Sequence, residues 1–292
     1  MNKFNLHGII LLDKPKNISS NKALAIVKKK LNIKKAGIVG ILDPLATGML
    51  LIVLNEATKI SQYIENYRKI YDVDMILGAT SSSGDCEGSV TTHTSDTSHI
   101  SFNQIKKVLE NHIGMQEQIP PMHSSVKVNG LKLYKLARKG IIIDRKARNI
   151  NIHNITLNSY IDNKVSITVS CSKGTYIRTL VESIGDELNI GAYSQNIRRI
   201  GIGHYTSDMM IPLNELSVIN NNIISMSSIL VNMNSISIND TDATKIRNGQ
   251  YVFTKKYENH EELAILNSNK NLIGIGIIKS NYIRLKRLIN FE

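Results

Sequence analysis

Apolar and polar residues recur with regular periods along much of the chain, and these periods predict strands and helices. Lys69 to Gly78 alternates as a half-buried strand does, and Gly8 to Pro15 is a short apolar run ending in a turn. Met49 to Leu54 is apolar throughout, which is typical of a buried strand. Fair alternation predicts two further strands, at 150–158 and 164–171. The pattern indicates a sheet at the core of the protein.

Helical spacing of apolar residues appears between these strands. Ser19, Ser20 and Asn21 offer N-caps to a helix that extends to Leu31. The segment that begins near Arg178 has an apolar face suited to packing on the core. Helical character is also expected in four other segments, namely 56–64, 102–113, 131–138 and a connector at 211–234.

The chain is long enough for two units. Its 292 residues can bury a sizeable core, and we expect a large domain at 1–230 and a small one at 231–292. The small unit is predicted to be basic and β-rich. Its short strands are expected near 251–253, 263–266 and 273–278.

The charge of the chain favours a polyanionic partner. The formal net charge is +12, which points to nucleic acid ahead of a membrane surface. Eight basic residues and one acidic residue lie between Lys127 and Arg148. No apolar run is long enough to span a bilayer and no signal-peptide core follows the N-terminus, so we expect a cytoplasmic protein. Cys86 and Cys171 are far apart and show no zinc-binding spacing, so no metal site is expected.

The segment from Gly37 to Gly48 is the best candidate for a catalytic loop. Three glycines permit unusual backbone angles, and Asp43 precedes Pro44, which biases it towards an extended or turn geometry. The apolar run that follows anchors the loop to the core. Local chemistry leaves two interpretations open: a displayed catalytic carboxylate, or a tight turn with no further role.

The residues from Leu42 to Gly48, Leu-Asp-Pro-Leu-Ala-Thr-Gly, resemble the signature loop of the bacterial tRNA pseudouridine synthase B (TruB) family. Lys173 to Arg178, Lys-Gly-Thr-Tyr-Ile-Arg, matches a second motif of that family, and 121–140 is similar to its thumb insertion. The resemblance covers residues 8–205 well and the remainder weakly.

The resemblance implies an α+β pseudouridine synthase fold. We expect a mixed, mainly antiparallel sheet with a central cleft, a thumb at about 119–148 that grips tRNA, and a PUA-like RNA-binding C-terminal domain. The implied reaction converts uridine 55, in the T-loop of tRNA, to pseudouridine after base flipping, without cofactor or metal. The expected partner is the tRNA T-arm, and we expect a monomer without a protein partner. A non-catalytic RNA chaperone and a synthase for another RNA remain alternatives.

Particular residues take roles by resemblance. Asp43 would be catalytic, as nucleophile or as base, with its pKa lowered by Arg178. Tyr71 would stack on the target base and take or relay a proton, Ile197 would lie under the uracil, and Tyr176 would hold Arg178. From local pattern alone, Arg178 is a surface or phosphate-binding residue, and Tyr71 and Ile197 are packing residues. The expected RNA-binding residues are Lys14, Lys127, Lys132, Arg138 and Lys139.

The catalytic loop departs from the family at two positions. Ile38 and Ile41 stand where the family usually has His and Thr. Loss of an imidazole and a hydroxyl beside the RNA backbone predicts weaker RNA binding or slower base flipping. The chemistry itself is expected to remain, because Asp43, Tyr71 and Arg178 are all present.

Overall fold

The computed structural model describes residues 6–94, 96–216 and 223–290. In chain order the strands are β1 (Gly8–Lys14), β2 (Ala36–Val39), β3 (Thr47–Leu54), β4 (Lys69–Leu77), β5 (Ala79–Ser81), β6 (Val90–Thr92), β7 (Gly114–Gln118), β8 (Lys127–Val128), β9 (Leu131–Lys132), β10 (Arg148–Ile161), β11 (Lys164–Cys171), β12 (Ala192–Ile202), β13 (Ile211–Pro212), β14 (Ser235–Ser237), β15 (Val252–Phe253), β16 (His260–Leu266), β17 (Leu272–Lys279) and β18 (Tyr282–Leu288). The α-helices are α1 (Ser20–Lys30), α2 (Gln62–Glu65), α3 (Phe102–Asn111), α4 (Leu133–Ala137), α5 (Ile177–Glu187) and α6 (Asp240–Arg247). Within these described ranges, no helix is both long and apolar enough to cross a membrane.

A nine-stranded sheet organises the larger part of the molecule. Its order is β13–β1–β3–β12–β4–β11–β10–β7, with β2 paired to β3. Neighbours are antiparallel except for the parallel pairs β1–β13 and β3–β12, so the predicted mixed, mainly antiparallel sheet is confirmed. In the β3–β12 pair, Gly48 lies opposite Arg199. This register places the loop that precedes β3 beside β12 and close to β4.

The two faces of the sheet pack into separate clusters. On β1, Ile10 and Leu12 belong to one cluster while Ile9 and Leu11 belong to the other. Helices α1, α3 and α5 cover the first face, and α2 and strands of the C-terminal unit cover the second. A strand covered on both faces needs no polar face. This explains the uninterrupted apolar run from Met49 to Leu54.

The C-terminal unit is a five-stranded sheet in the order β14–β16–β17–β18–β15, with its own apolar cluster. Asn239 caps α6 by accepting from the backbone N–H of Asp242. The unit is tied to the larger one by polar contacts. The amine of Lys59 donates to the carbonyl of Leu288 at 2.9 Å, and the backbone N–H of Asn290 donates to the Glu56 carboxylate at 2.8 Å.

The structure corrects three of the helix predictions. The helical connector at 211–234 is wrong for the residues described there, which form β13 and a 3₁₀ helix at Met226–Leu230; the part at 217–222 lies outside the described residues. The helix at 56–64 is divided into a 3₁₀ helix at Asn55–Lys59 and α2. The helix at 131–138 starts later, because its first two residues form the hairpin strand β9.

Candidate active site

Asp43 lies in the loop between β2 and β3. Its side chain keeps 39% of its surface exposed, and its Oδ2 lies 2.9 Å from Nη2 of Arg178. The backbone N–H of Ala46 donates to the Asp43 carbonyl at 3.2 Å, which closes a turn around Pro44. The loop therefore presents the carboxylate beside a guanidinium while leaving one side open.

Neighbouring segments fix the residues on either side of this carboxylate. The hydroxyl of Ser20 donates to the Leu42 carbonyl at 2.7 Å and accepts from the Leu42 N–H at 2.9 Å. The Pro44 carbonyl accepts from the backbone N–H of Asn17 at 2.9 Å and from Nζ of Lys14 at 3.1 Å. Both flanks of the carboxylate are thus bonded to the β1–α1 segment.

The prediction that Lys14 faces RNA phosphate is wrong. Its side chain is fully buried, and Nζ donates to the carbonyls of Pro15, Ile18 and Pro44. Burial lowers the pKa of Lys14 to about 8, although the nearby Asp43 carboxylate opposes this change. Because its three donors are used inside the protein, Lys14 stabilises the catalytic loop and is not accessible to RNA.

Arg178 stands in the first turn of α5 and is only 3% exposed. Besides its ion pair with Asp43, its Nη1 lies 3.4 Å from Oδ2 of Asp85. Its Nη groups also donate to the carbonyls of Ser83 at 2.7 Å and His123 at 2.6 Å. A positive charge is unfavourable at the N-terminus of a helix, and these oxygen acceptors compensate for that effect at Arg178. Arg178 is therefore a buried bridge between two carboxylates, not a surface residue.

The pKa of Asp43 is raised above its ordinary value, because the packed protein around the carboxyl desolvates it. The Arg178 guanidinium lowers this pKa and the Asp85 carboxylate raises it. Arg178 thus acts on the Asp43 pKa in the expected direction, but desolvation outweighs it. The side chain of Asp43 thus combines partial exposure with substantial desolvation of its carboxyl.

Tyr71 on β4 and Ile197 on β12 are buried in the same apolar cluster as Leu42 of the catalytic loop. The two residues are 8% and 5% exposed. Burial raises the pKa of the Tyr71 phenol, and the charge of Asp43 raises it further. Leu42, which shares this cluster with Tyr71, directly precedes Asp43, so Tyr71 lies close to the loop that carries the carboxylate.

Tyr176 is the N-cap residue of α5. The side-chain amide of Gln118 holds its backbone twice, accepting from the Tyr176 N–H at 2.7 Å and donating to the Tyr176 carbonyl at 3.0 Å. Burial raises the pKa of the Tyr176 phenol. The two hydrogen bonds from Gln118 fix the start of the helix that carries Arg178.

Two buried charged residues of this site were missed from the sequence. Arg199 is 1% exposed and lies two residues after Ile197, so strand alternation places both on one face of β12. Asp85 is 3% exposed and accepts from the Ser83 hydroxyl at 2.6 Å. The alternation is a signal for Arg199, but no local pattern marks Asp85. Among the described residues, no group of three or more His, Cys, Asp or Glu side chains is placed to hold a metal ion.

The expected RNA-gripping cations lie on the thumb, where β8 and β9 form a hairpin followed by α4. Lys127, Arg138 and Lys139 are exposed and Lys132 is half-buried. The Tyr134 ring has Lys132 Nζ 5.9 Å and Arg138 Cζ 5.6 Å from its centroid. Stacked cations of this kind hold positive charge in a defined place on the surface.

The two unusual isoleucines of the loop have different surroundings. Ile38 lies on β2 opposite Ile52 and packs against the core. Ile41 is 54% exposed. An exposed apolar side chain thus lies two residues before Asp43, and weaker RNA binding or slower flipping stays a prediction.

Two family models match the chain. The model described as TruB family pseudouridylate synthase (N terminal domain) matches residues 28–177. The model described as pseudouridine synthase II TruB, C-terminal, matches residues 235–289. The first match contains Asp43, Tyr71 and Tyr176 and ends one residue before Arg178.

Relatives match over nearly the whole length. A protein named tRNA pseudouridine synthase B from Nitrosococcus oceani is 38% identical over 97% of this chain and 95% of its own. One of the same name from Legionella pneumophila strain Lens is 38% identical, covering 99% and 97%. A solved Cbf5–Nop10–Gar1 complex shares the fold, with a TM-score of 0.74 and 23% identity over 98% of this chain and 86% of the matched chain. The protein therefore belongs to the TruB family of pseudouridylate synthases.

Proposed function

We propose that this protein isomerises a uridine of tRNA to pseudouridine, with Asp43 as the catalytic residue. The observation that carries the proposal is the Asp43–Arg178 ion pair, which displays a carboxylate on a braced loop. The proposal is supported by relatives named tRNA pseudouridine synthase B that match nearly the full chain.

In the reaction, the glycosidic bond breaks, the uracil turns, and carbon replaces nitrogen as the attachment to the sugar. The target nucleotide must first leave its stack, at a cost of a few kcal/mol. Asp43 then acts on the flipped nucleoside as nucleophile or as base, and both roles require its ionised form. Arg178 directs this carboxylate, Tyr71 lies against the base and accepts the final proton, and Ile197 supports the uracil from below.

We propose the T-arm of tRNA as the bound element and uridine 55 as the target. In this proposal the thumb at 119–148 grips the arm through Lys127, Lys132, Arg138 and Lys139, and their charge offsets the cost of flipping. Residues 1–230 form the catalytic unit and 231–292 an RNA-binding unit, and the protein works as a cytoplasmic monomer.

The test is tritium release from unmodified tRNA labelled at uridine C5. We expect release by the wild type and by Asp208→Asn, whose exposed side chain is remote in sequence from the site, and none by Asp43→Asn. A wild type that binds tRNA in a gel shift but releases no tritium would contradict the proposal and favour an RNA chaperone. Release of tritium from a uridine other than 55 would instead contradict the proposed target position.

A further inference from the structure

Arg199 contacts both ends of the catalytic loop. Its Nε donates to the carbonyl of Met49 at 2.7 Å, on β3 after the loop, and its Nη2 donates to the carbonyl of Gly40 at 2.8 Å, at the start of the loop. The loop therefore starts and ends on one guanidinium. Gly40 has φ of +77°, and a Cβ at this position would lie 3.2 Å from Nη1 of Arg199, so the backbone approaches the guanidinium closely.

The third nitrogen of the Arg199 guanidinium, Nη1, faces Tyr71. Nη1 lies 3.5 Å from the phenol oxygen, and Cζ lies 6.0 Å from the centroid of the ring. The two residues are cross-strand partners in the β4–β12 pair. A contact of this length is a loose hydrogen bond, of the kind that tightens when a substrate completes the site.

The charge of Arg199 has no carboxylate partner. Among the described residues it forms no ion pair, although it is 1% exposed. Two other buried cations come from neighbouring strands: Lys14 pairs with Gly48, which also pairs with Arg199, and Lys69 lies two residues before Tyr71 on β4. A buried, unpaired cation is costly to the fold, and such groups concentrate at functional sites.

We propose that Arg199 is a positioning residue for the reaction, which holds the loop of Asp43 and the phenol of Tyr71 on one guanidinium and supports the phenolate of Tyr71. The inference rests on the proposed function and adds a residue that works through two others. In the final step, the Tyr71 phenolate takes the hydrogen of C5 as a proton. The C5–H electron pair forms the C5=C6 bond, the former C6=N1 π pair moves to N1, and N1 takes a proton from water. The hydroxide left by this step takes the proton of the phenol, which regenerates water and the phenolate.

The charges that face Tyr71 agree with this role. Burial raises the pKa of its phenol, and Arg199 on β12 is the largest influence that opposes burial. Cys171 on β11 and Asp43 in the loop both raise this pKa. Arg199 therefore favours the phenolate, and its removal should raise the pKa of Tyr71.

The experiment compares Arg199→Met and Arg199→Lys with Arg198→Met, the same change at the neighbouring residue, whose side chain is 40% exposed and paired with Asp13. We expect kcat of Arg199→Met to fall about 100-fold with little change in KM for tRNA. The kinetic isotope effect of deuterium at uridine C5 should exceed that of the wild type, because proton removal becomes slower. The rate of Arg199→Met should also reach its maximum at a higher pH than that of the wild type. Arg199→Lys should lie between the wild type and Arg199→Met in kcat, isotope effect and pH profile. Arg198→Met should keep the wild-type kcat.

Three outcomes would overturn the inference while the wild type remains active. They are an Arg199→Met kcat equal to that of Arg198→Met, a lower kcat without a larger isotope effect, and loss of cooperative thermal unfolding in both Arg199 variants. A lower kcat without a larger isotope effect would mean that Arg199 only holds the loop in place. Loss of cooperative unfolding in both variants would mean that Arg199 is required only for folding. An inactive wild type would overturn the proposed function itself, and this inference with it.

Discussion

Ser20 holds Leu42 by both of its backbone groups. One hydroxyl donates to the Leu42 carbonyl at 2.7 Å and accepts from the Leu42 N–H at 2.9 Å. All of these atoms are buried, so no water replaces either bond. The first turn of α1 therefore fixes the residue that precedes Asp43, the proposed catalytic residue.

Ser20→Ala is expected to lower both stability and turnover. It leaves a buried N–H and a buried carbonyl without a partner, at a cost of about 1–3 kcal/mol. Because the freed backbone adjoins Asp43, kcat should fall while KM for tRNA changes little. Urea unfolding and tritium release measure the two effects.

Ser19→Ala is the matched control. Ser19 is the N-cap of α1 and accepts from the backbone N–H of Lys22 at 3.1 Å. Its loss should cost about 1 kcal/mol of stability and leave kcat unchanged, since it does not touch the loop. Equal effects of the two substitutions on kcat would show that the Ser20 bond has no special influence on the loop.

The loop and the strands around it are predictable because their signals are local. Asp43 before Pro44, the alternation of β4 and the apolar run of β3 depend on residues that are near each other in sequence. The same local analysis places Ser20 only as a capping residue. Its actual partner, Leu42, is 22 residues away, and tertiary contacts of that kind leave no mark on local periodicity.

Buried charges were the main failure of sequence interpretation for the same reason. Lys14 looks like a surface cation beside a turn, yet three carbonyls converge on its amine. Arg199 and Asp85 are likewise buried by segments distant in sequence. Whether a charged side chain is solvated depends on what packs over it, which composition and spacing do not record.

The pH dependence of the rate should report the raised pKa of Asp43. Activity requires the ionised carboxylate, so the rate should fall as the pH drops through the pKa of Asp43. This fall should occur at a higher pH than it would for an aspartate with the ordinary pKa of 3.8. In Asp85→Asn a negative charge that raises the Asp43 pKa is removed, and the acid limb should move to lower pH. Single-turnover rates across the acid pH range measure the acid limb of the wild type and that of Asp85→Asn.

The same variant should have a lower plateau rate, because Arg178 loses one of its two carboxylate partners. Tritium release at neutral pH measures this plateau. An acid limb that moves to higher pH in Asp85→Asn would contradict the electrostatic account. It would indicate that the main effect of Asp85 is to hold Arg178 against Asp43.

Lys14→Met should destabilise the protein, and the loss should grow with pH. Burial lowers the pKa of Lys14 to about 8, below the unfolded value of 10.5. Between these values the unfolded state binds the extra proton, so this group makes the wild type more stable as pH rises, by about 1.4 kcal/mol per unit. Methionine lacks this contribution. Urea unfolding of both proteins at about pH 8 and about pH 10, near the two ends of the interval between these pKa values, gives the comparison. A difference in stability that is independent of pH would contradict the prediction.

The thumb cations should set the salt dependence of tRNA binding. Each lysine that contacts a phosphate releases a counterion, so its loss reduces the slope of log K against log salt concentration by about 1. Lys139→Gln should show this reduction, because Lys139 is exposed on the thumb. Lys107→Gln, on the exposed side of α3, should leave the slope unchanged. Filter-binding titrations over a range of salt concentrations measure the slope. If the slope fell equally in both variants, the charges would act through the overall field of the protein. Only a smaller slope confined to Lys139→Gln supports a phosphate contact at the thumb.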